Sequence, residues 1–171
     1  IEAYVCPMLI PSNHPLASVN DSYNAVFVNG DAVENAMFYG RGAGELPTAS
    51  AVVGDLFDIA RNISAGCCGR IGCTCYKEIP VKKMADTHNR YFMRLIVEDR
   101  CGVLAEMTAV FAKYGVSVAQ IIQKAAREAG SAEVVVITAK VREGDFRTAM
   151  EELSGRESVR KISSMLRVYG E

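Results

Sequence analysis

Between residues 91 and 169 the hydrophobic period alternates between about two and about 3.6 residues, and the resulting order limits the fold more than any other feature. An apolar run at 91–97 (Tyr91 to Val97) reads as a strand and ends in the turn Asp99-Arg100-Cys101-Gly102. A helix is predicted at 102–114, with Val103, Leu104, Met107, Val110, Phe111 and Tyr114 on one stripe and Gly115 as its stop. Strands at 116–123 and 133–141 follow, separated by a turn at 128–131. A second helix at 143–154 carries Phe146, Ala149, Met150 and Leu153, and a last strand spans 159–169. Right-handed crossovers in a β-α-β-β-α-β order place both helices on one face of a four-stranded antiparallel sheet, a ferredoxin-like sandwich. The opposite face of the sheet needs cover, and a small domain with one uncovered face often pairs with a second copy.

The first third is a different unit. Residues 1–11 read as the end of a buried strand, and 12–17 as a helical turn capped by Ser12 or Asn13. Asn24–Val28 and Ala36–Tyr39 form a predicted hairpin around Asn29-Gly30-Asp31, with Gly30 expected to supply the positive φ. A helix at about 47–63 follows, Pro47 at its first position and Val52, Leu56, Ile59, Ala60 and Ile63 on one face. Residues 64–88 keep no period. The expected division is therefore 1–63, a linker at 64–88, and 89–171, an α+β chain overall.

Nineteen basic and 20 acidic residues leave a formal charge of −1, so nothing favours nucleic acid or an anionic membrane as the main partner. No apolar run approaches the roughly 20 residues that span a bilayer. The opening Ile1-Glu2-Ala3-Tyr4 does not read as a signal peptide, and the chain reads as part of a longer polypeptide. Six cysteines in a chain with an ordinary core indicate a reduced, cytosolic setting. Four of them (Cys67, Cys68, Cys73, Cys75) cluster in the linker. Their spacing, adjacent or one apart, suits zinc poorly, so no metal is expected. A local or redox-labile disulfide and a plain linker remain the two readings of this cluster.

Two resemblances sharpen this. Leu95-Ile96-Val97-Glu98-Asp99-Arg100-Cys101-Gly102-Val103-Leu104-Ala105, with Tyr114-Gly115-Val116-Ser117-Val118 and Gln120 to Lys124, resembles an ACT domain, an amino-acid-sensing module. Cys101 stands where that family favours proline. His14-Pro15-Leu16-Ala17, Asn24–Val28, Gly30-Asp31 and the run Phe38 to Asp55 resemble the end of the catalytic domain of homoserine dehydrogenase. Bacterial enzymes of that family with a C-terminal ACT extension have this same order of parts. The resemblance implies a parent enzyme that interconverts homoserine and aspartate semialdehyde by hydride transfer with NAD(P). This portion alone would be inactive, with no cofactor expected bound. It further implies L-threonine as effector, for feedback regulation of threonine and methionine biosynthesis, and a cytoplasmic homo-oligomer joined through ACT domains.

Two loops carry the candidate sites. Gly40-Arg41-Gly42-Ala43-Gly44-Glu45 lies between a strand and a helix start, where glycines admit close approach and first-turn N–H groups lack partners. Its G-x-G-x-G spacing is not a dinucleotide fingerprint. With the resemblance, Gly42, Ala43, Gly44 and Glu45 are expected beside the cofactor and substrate, and a tight turn without ligand is the other reading. His14 is a possible supporting residue or a structural turn histidine. In the second loop Asp99 is expected to meet an amino acid's ammonium, and the backbone of Gly102, Val103 and Leu104 its carboxylate. Ser117, Gln120 and Gln123 are expected to add polar contacts from the strand at a dimer interface. An ACT module on an inert scaffold is the alternative function, as is a zinc-stabilised interaction domain.

Overall fold

The computed structural model describes residues 1–67, 73, 75–125 and 128–170. The chain divides into two compact units, one of Ile1–Ile10 with Ile79–Glu171 and one of Pro11–Glu78. The first ten residues therefore belong with the C-terminal unit and not with the residues that follow them. Cys68, with 69–72 and 74, lies outside the described residues.

In the C-terminal unit the strands are β1 (Met8–Leu9), β4 (His88–Glu98), β5 (Val118–Ala125), β6 (Ser131–Thr138), β7 (Val141–Arg142) and β8 (Val159–Val168), and the helices are α2 (Val103–Lys113) and α3 (Glu143–Ser154). The sheet runs β1-β8-β4-β6-β5, with β7 paired to the start of β4. The β8-β4-β6-β5 part is antiparallel, as the periodicity requires, and β1 adds in parallel through Met8↔Arg167 and Leu9↔Val168. Alternation along β4 sends Tyr91, Met93, Leu95 and Val97 inward, where they meet Val134 and Val136 of β6, Val103, Met107, Val110 and Phe111 of α2, and Phe146, Ala149 and Leu153 of α3. Phe146 stacks on Tyr91 with ring centroids 3.6 Å apart.

Several local expectations change. Residues 1–11 form no buried strand: Tyr4 and Val5 are exposed, and only Met8–Leu9 pair. The strand expected at 116–123 starts at Val118, and the one expected to reach 141 stops at Thr138, with Val141–Arg142 a strand of their own.

A buried ion network joins the first segment to this sheet. Arg167 of β8 donates to Glu143 Oε2 at 2.8 Å, Tyr91 donates its hydroxyl to the same oxygen, and Arg147 Nε reaches Oε1 at 2.7 Å. The Arg167 guanidinium lies 4.2 Å from the centre of the Tyr4 ring and 3.4 Å from Cys6 Sγ. Tyr4 in turn donates to Asn89 Oδ1 at 3.3 Å. Burial, and then the Glu143 carboxylate, push Tyr91 up to about 12. Burial opposes the charge on Glu143, yet the bonds from Tyr91, Arg167 and Arg147 outweigh it and hold the carboxyl below its ordinary value.

On the solvent side Glu152 of α3 receives Lys113 at 2.6 Å, the Tyr114 hydroxyl at 2.8 Å and Arg156 at 2.5 Å. These donors, Lys113 foremost, lower its pKa from 4.5 to about 2. A depressed carboxylate contributes stability that is present above 4.5 and lost as pH falls through about 2. The side-chain carboxyl resonance of Glu152 is therefore expected to titrate near 2 in the folded chain, and Glu152→Gln to remove that part of the acid-unfolding profile; a midpoint near 4.5 would refute the tie.

The Pro11–Glu78 unit holds a hairpin and a helix. β2 (Tyr23–Gly30) and β3 (Glu34–Arg41) pair from Tyr23↔Arg41 to Gly30↔Glu34, and α1 spans Glu45–Ser64. The turn's positive φ belongs to Glu34 at 54°, not to Gly30; the two residues pair with each other as the last rung of the ladder. α1 begins two residues earlier than predicted, so Pro47 occupies its third position, where an N–H is still not required. No residue of α1 is buried, and Leu56 and Ile63 of its stripe are 58% and 68% exposed. No described helix is long and apolar enough to cross a membrane.

Candidate functional site

β4 ends at Glu98, and the chain turns through 99–102 into α2. Gly102 makes this possible: its φ of 92° is one that side-chain-bearing residues rarely adopt, although a Cβ there would meet nothing within 4 Å. No side chain caps α2, and its first internal bond is Glu106 N–H to Gly102 C=O at 2.9 Å. The N–H groups of Val103, Leu104 and Ala105 consequently have no partner within the helix.

These groups border a pocket of about 270 Å³, lined by Val97 and Glu98 from β4, Arg100 to Ala105 from the turn and helix start, and Gln123 from β5. Arg100 Nε donates to Glu98 Oε2 and Arg100 Nη2 to Glu106 Oε1, each at 3.0 Å. The two carboxylates, Glu98 first, raise Arg100 above the ordinary arginine value, so it stays a cation. The pocket thus presents an anion, a cation and a set of outward N–H groups around a small volume, the combination a zwitterion needs.

Of the residues expected here, Gly102, Val103, Leu104 and Gln123 line the pocket. Asp99, Ser117 and Gln120 do not. Asp99 is exposed, and its N–H is given to Gly130 C=O at 3.2 Å, which fixes the turn. Ser117 precedes β5 and is likewise exposed; its C=O accepts from Ala139 N–H at 2.8 Å. Gln120 lies in the register of Ile137, on the sheet face away from the helices, whereas Gln123 lies opposite Val134 on the helix face. The acid and base of the pocket, Glu98 and Arg100, were missed because adjacent charges in one turn look alike in sequence. The signal that was available is position: Glu98 is the last residue of β4, at the strand end from which the turn into α2 departs.

The glycine turn of the other unit leads from β3 to α1. Gly44, at φ 124°, is the N-cap of α1 and supplies no side-chain bond, while Thr48 lies in the helix and gives its N–H to Gly44 C=O at 3.1 Å. A Cβ on Gly42 would fall 2.2 Å from Asn24 Nδ2, so its glycine is fixed by the neighbouring strand. Gly42, Ala43, Gly44 and Glu45 are all exposed. His14 Nδ1 accepts from Leu16 N–H at 3.2 Å, capping the 3₁₀ turn Pro15–Ser18 in place of Ser12 or Asn13, and its ring meets Phe27 edge-on at 4.7 Å. Among the described residues no group of three or more His, Cys, Asp or Glu side chains is placed to hold a metal.

Comparison with known proteins gives two family matches. The homoserine dehydrogenase family model matches residues 1–57 and the ACT domain model residues 91–157. The homoserine dehydrogenase of Corynebacterium glutamicum is 42% identical over 169 residues, 98% of this chain and 37% of that protein. That of Bacillus subtilis is 37% identical over 171 residues, 99% of this chain and 40% of its own length. A solved homoserine dehydrogenase from Thiobacillus denitrificans superposes with a TM-score of 0.86 at 31% identity, over 98% of this chain and 39% of that one. The chain spans about two fifths of the length of the relatives it matches.

Proposed function

Because this chain belongs to the homoserine dehydrogenase family and joins the end of its catalytic domain to an ACT domain, we propose that it is the regulatory end of such an enzyme and that its ACT domain binds L-threonine. The parent reaction is the NAD(P)-dependent interconversion of L-homoserine and L-aspartate 4-semialdehyde in the cytoplasm. The observation that carries the sensing role is the pocket at the β4–α2 turn. Glu98 meets the effector's ammonium, and Arg100 with the N–H groups of Val103 to Ala105 meets its carboxylate. Gln123 is left for the side-chain hydroxyl. The open edge of β5, where Ile121 and Ile122 are 39% and 49% exposed, supports pairing with a second copy, which would bring Ser117 and Gln120 of each toward the interface.

The uncovered stripe of α1 supports a role within a larger enzyme, since an apolar face of this extent on a single helix marks a contact surface. The turn Gly42 to Glu45 fits one edge of an NAD(P) site: it is exposed, and the N–H groups of Glu45 and Leu46 lack helical partners. These residues would hold the nicotinamide end, and the cofactor, when bound, would supply the hydride chemistry. Glu45, Leu46 and Pro47 otherwise only orient and shield that edge.

Titration calorimetry of the chain with L-threonine is the test. Saturable binding is expected, and absence of heat with threonine and with other small amino acids would end the sensing role.

A further inference from the structure

The pocket and the glycine turn leave one cluster unused. Cys73 and Cys75 are free, exposed thiols in the connector that precedes the unit boundary after Glu78. The backbone N–H of Cys75 donates to Cys73 Sγ at 3.4 Å. The other described cysteines lack such a neighbour: Cys6 faces Arg167, Cys101 lines the effector pocket, and Cys67 is half-buried just after the α1 terminus.

We propose that Cys73 and Cys75 are a redox-active dithiol that small-molecule disulfides of the glutathione type oxidise to an intrachain disulfide. Three physical points support it. Residues two apart in sequence can meet the Cα separation of about 4.4–6.8 Å that a disulfide requires. The Cys75 backbone N–H already lies 3.4 Å from Cys73 Sγ, so the residue that carries the resolving thiol stands beside the attacking one. The Cys75 N–H, and then its thiol, hold Cys73 below the ordinary thiol value, which favours the nucleophilic thiolate.

The chemistry balances in two exchanges. The Cys73 thiolate attacks one sulfur of glutathione disulfide, a protein–glutathione S–S bond forms, and one glutathione thiolate leaves. Cys75 loses its proton to water and attacks the Cys73 sulfur, closing the internal disulfide and expelling the second glutathione thiolate. Two protein thiols are oxidised, and one disulfide is reduced to two thiols.

The sequence offers a clean readout. Trypsin cuts after Arg61, Arg70 and Lys77, so Cys73 and Cys75 share the peptide 71–77 while Cys67 and Cys68 fall in 62–70. After exposure of the chain to oxidised glutathione and alkylation, peptide 71–77 is expected two hydrogens lighter than its reduced form and unalkylated. In Cys75→Ser the glutathione adduct is expected to persist on Cys73. A peptide 71–77 alkylated at both sulfurs, or one linked to 62–70, would overturn the proposal, as would Cys75→Ser failing to trap the adduct.

Discussion

Arg167→Met is expected to destabilise the C-terminal unit by about 3–5 kcal/mol, the loss associated with leaving one member of a buried ion pair alone. Glu143 is 4% exposed and Arg167 8%, so water cannot take over the role of the missing partner. Tyr91 and Arg147 remain, but neither replaces the charge at Oε2: Tyr91 is neutral and Arg147 reaches the other oxygen. The effect is read as a fall in the urea midpoint at constant slope. Adding Glu143→Gln to Arg167→Met should recover a large part of the loss, because the orphaned charge is then gone. A single-variant loss below about 1 kcal/mol would mean that the network is solvated and this account of it is wrong. The pH dependence follows with a definite sign. The lowered Glu143 pKa adds stability above the unfolded-state value of 4.5, and that contribution disappears as pH falls through the folded value, so Arg167→Met should flatten the acid limb of the stability curve.

Glu98→Gln is expected to weaken L-threonine binding about tenfold to a hundredfold, the range for losing a hydrogen bond to a charged group. Arg100→Ala should act in the same direction through the carboxylate. Asp99→Ala, one residue away and outside the pocket, should leave the affinity within about twofold, since surface substitutions remote from a contact change free energies by less than about 0.5 kcal/mol. The three variants together separate the pocket from the turn that supports it. If Asp99→Ala abolished binding while Glu98→Gln did not, the ammonium site would belong on the turn. Binding to the pocket alone does not regulate anything: inhibition requires that the effector favour one arrangement of the enzyme over another.

The β-α-β-β-α-β order was legible because each of its elements is long and strongly periodic, and a one-residue slip would turn its apolar set outward. Short and distant pairings were not. Two residues of β1 meet the far end of β8 in parallel, and nothing near Met8 announces that partner. The same distance hid the ion network, for Tyr91, Glu143 and Arg167 belong to three elements. The trace it left was an arginine in β8 at the register position of inward Tyr91, a place for an apolar residue unless a charge awaits it. The hairpin turn failed for a local reason. Glycine was assumed to carry the left-handed residue, and Glu34, the partner of Gly30 in the last rung, carries it instead. In the effector loop the helix start was readable from Gly102, whereas the choice between Glu98 and Asp99 depended on where the strand ended.

Since β1 completes the sheet edge beside the last strand to be synthesised, the order of the ribbon is not the order of assembly. A nascent chain emerging from the ribosome would carry its opening segment unseated until Arg167 had appeared. A sensor cut out at residue 89 would lack the residues that cover Arg167 and would bare the flank of β8. To isolate the module whole, an engineer should retain residues 1–10 together with residues 79–171.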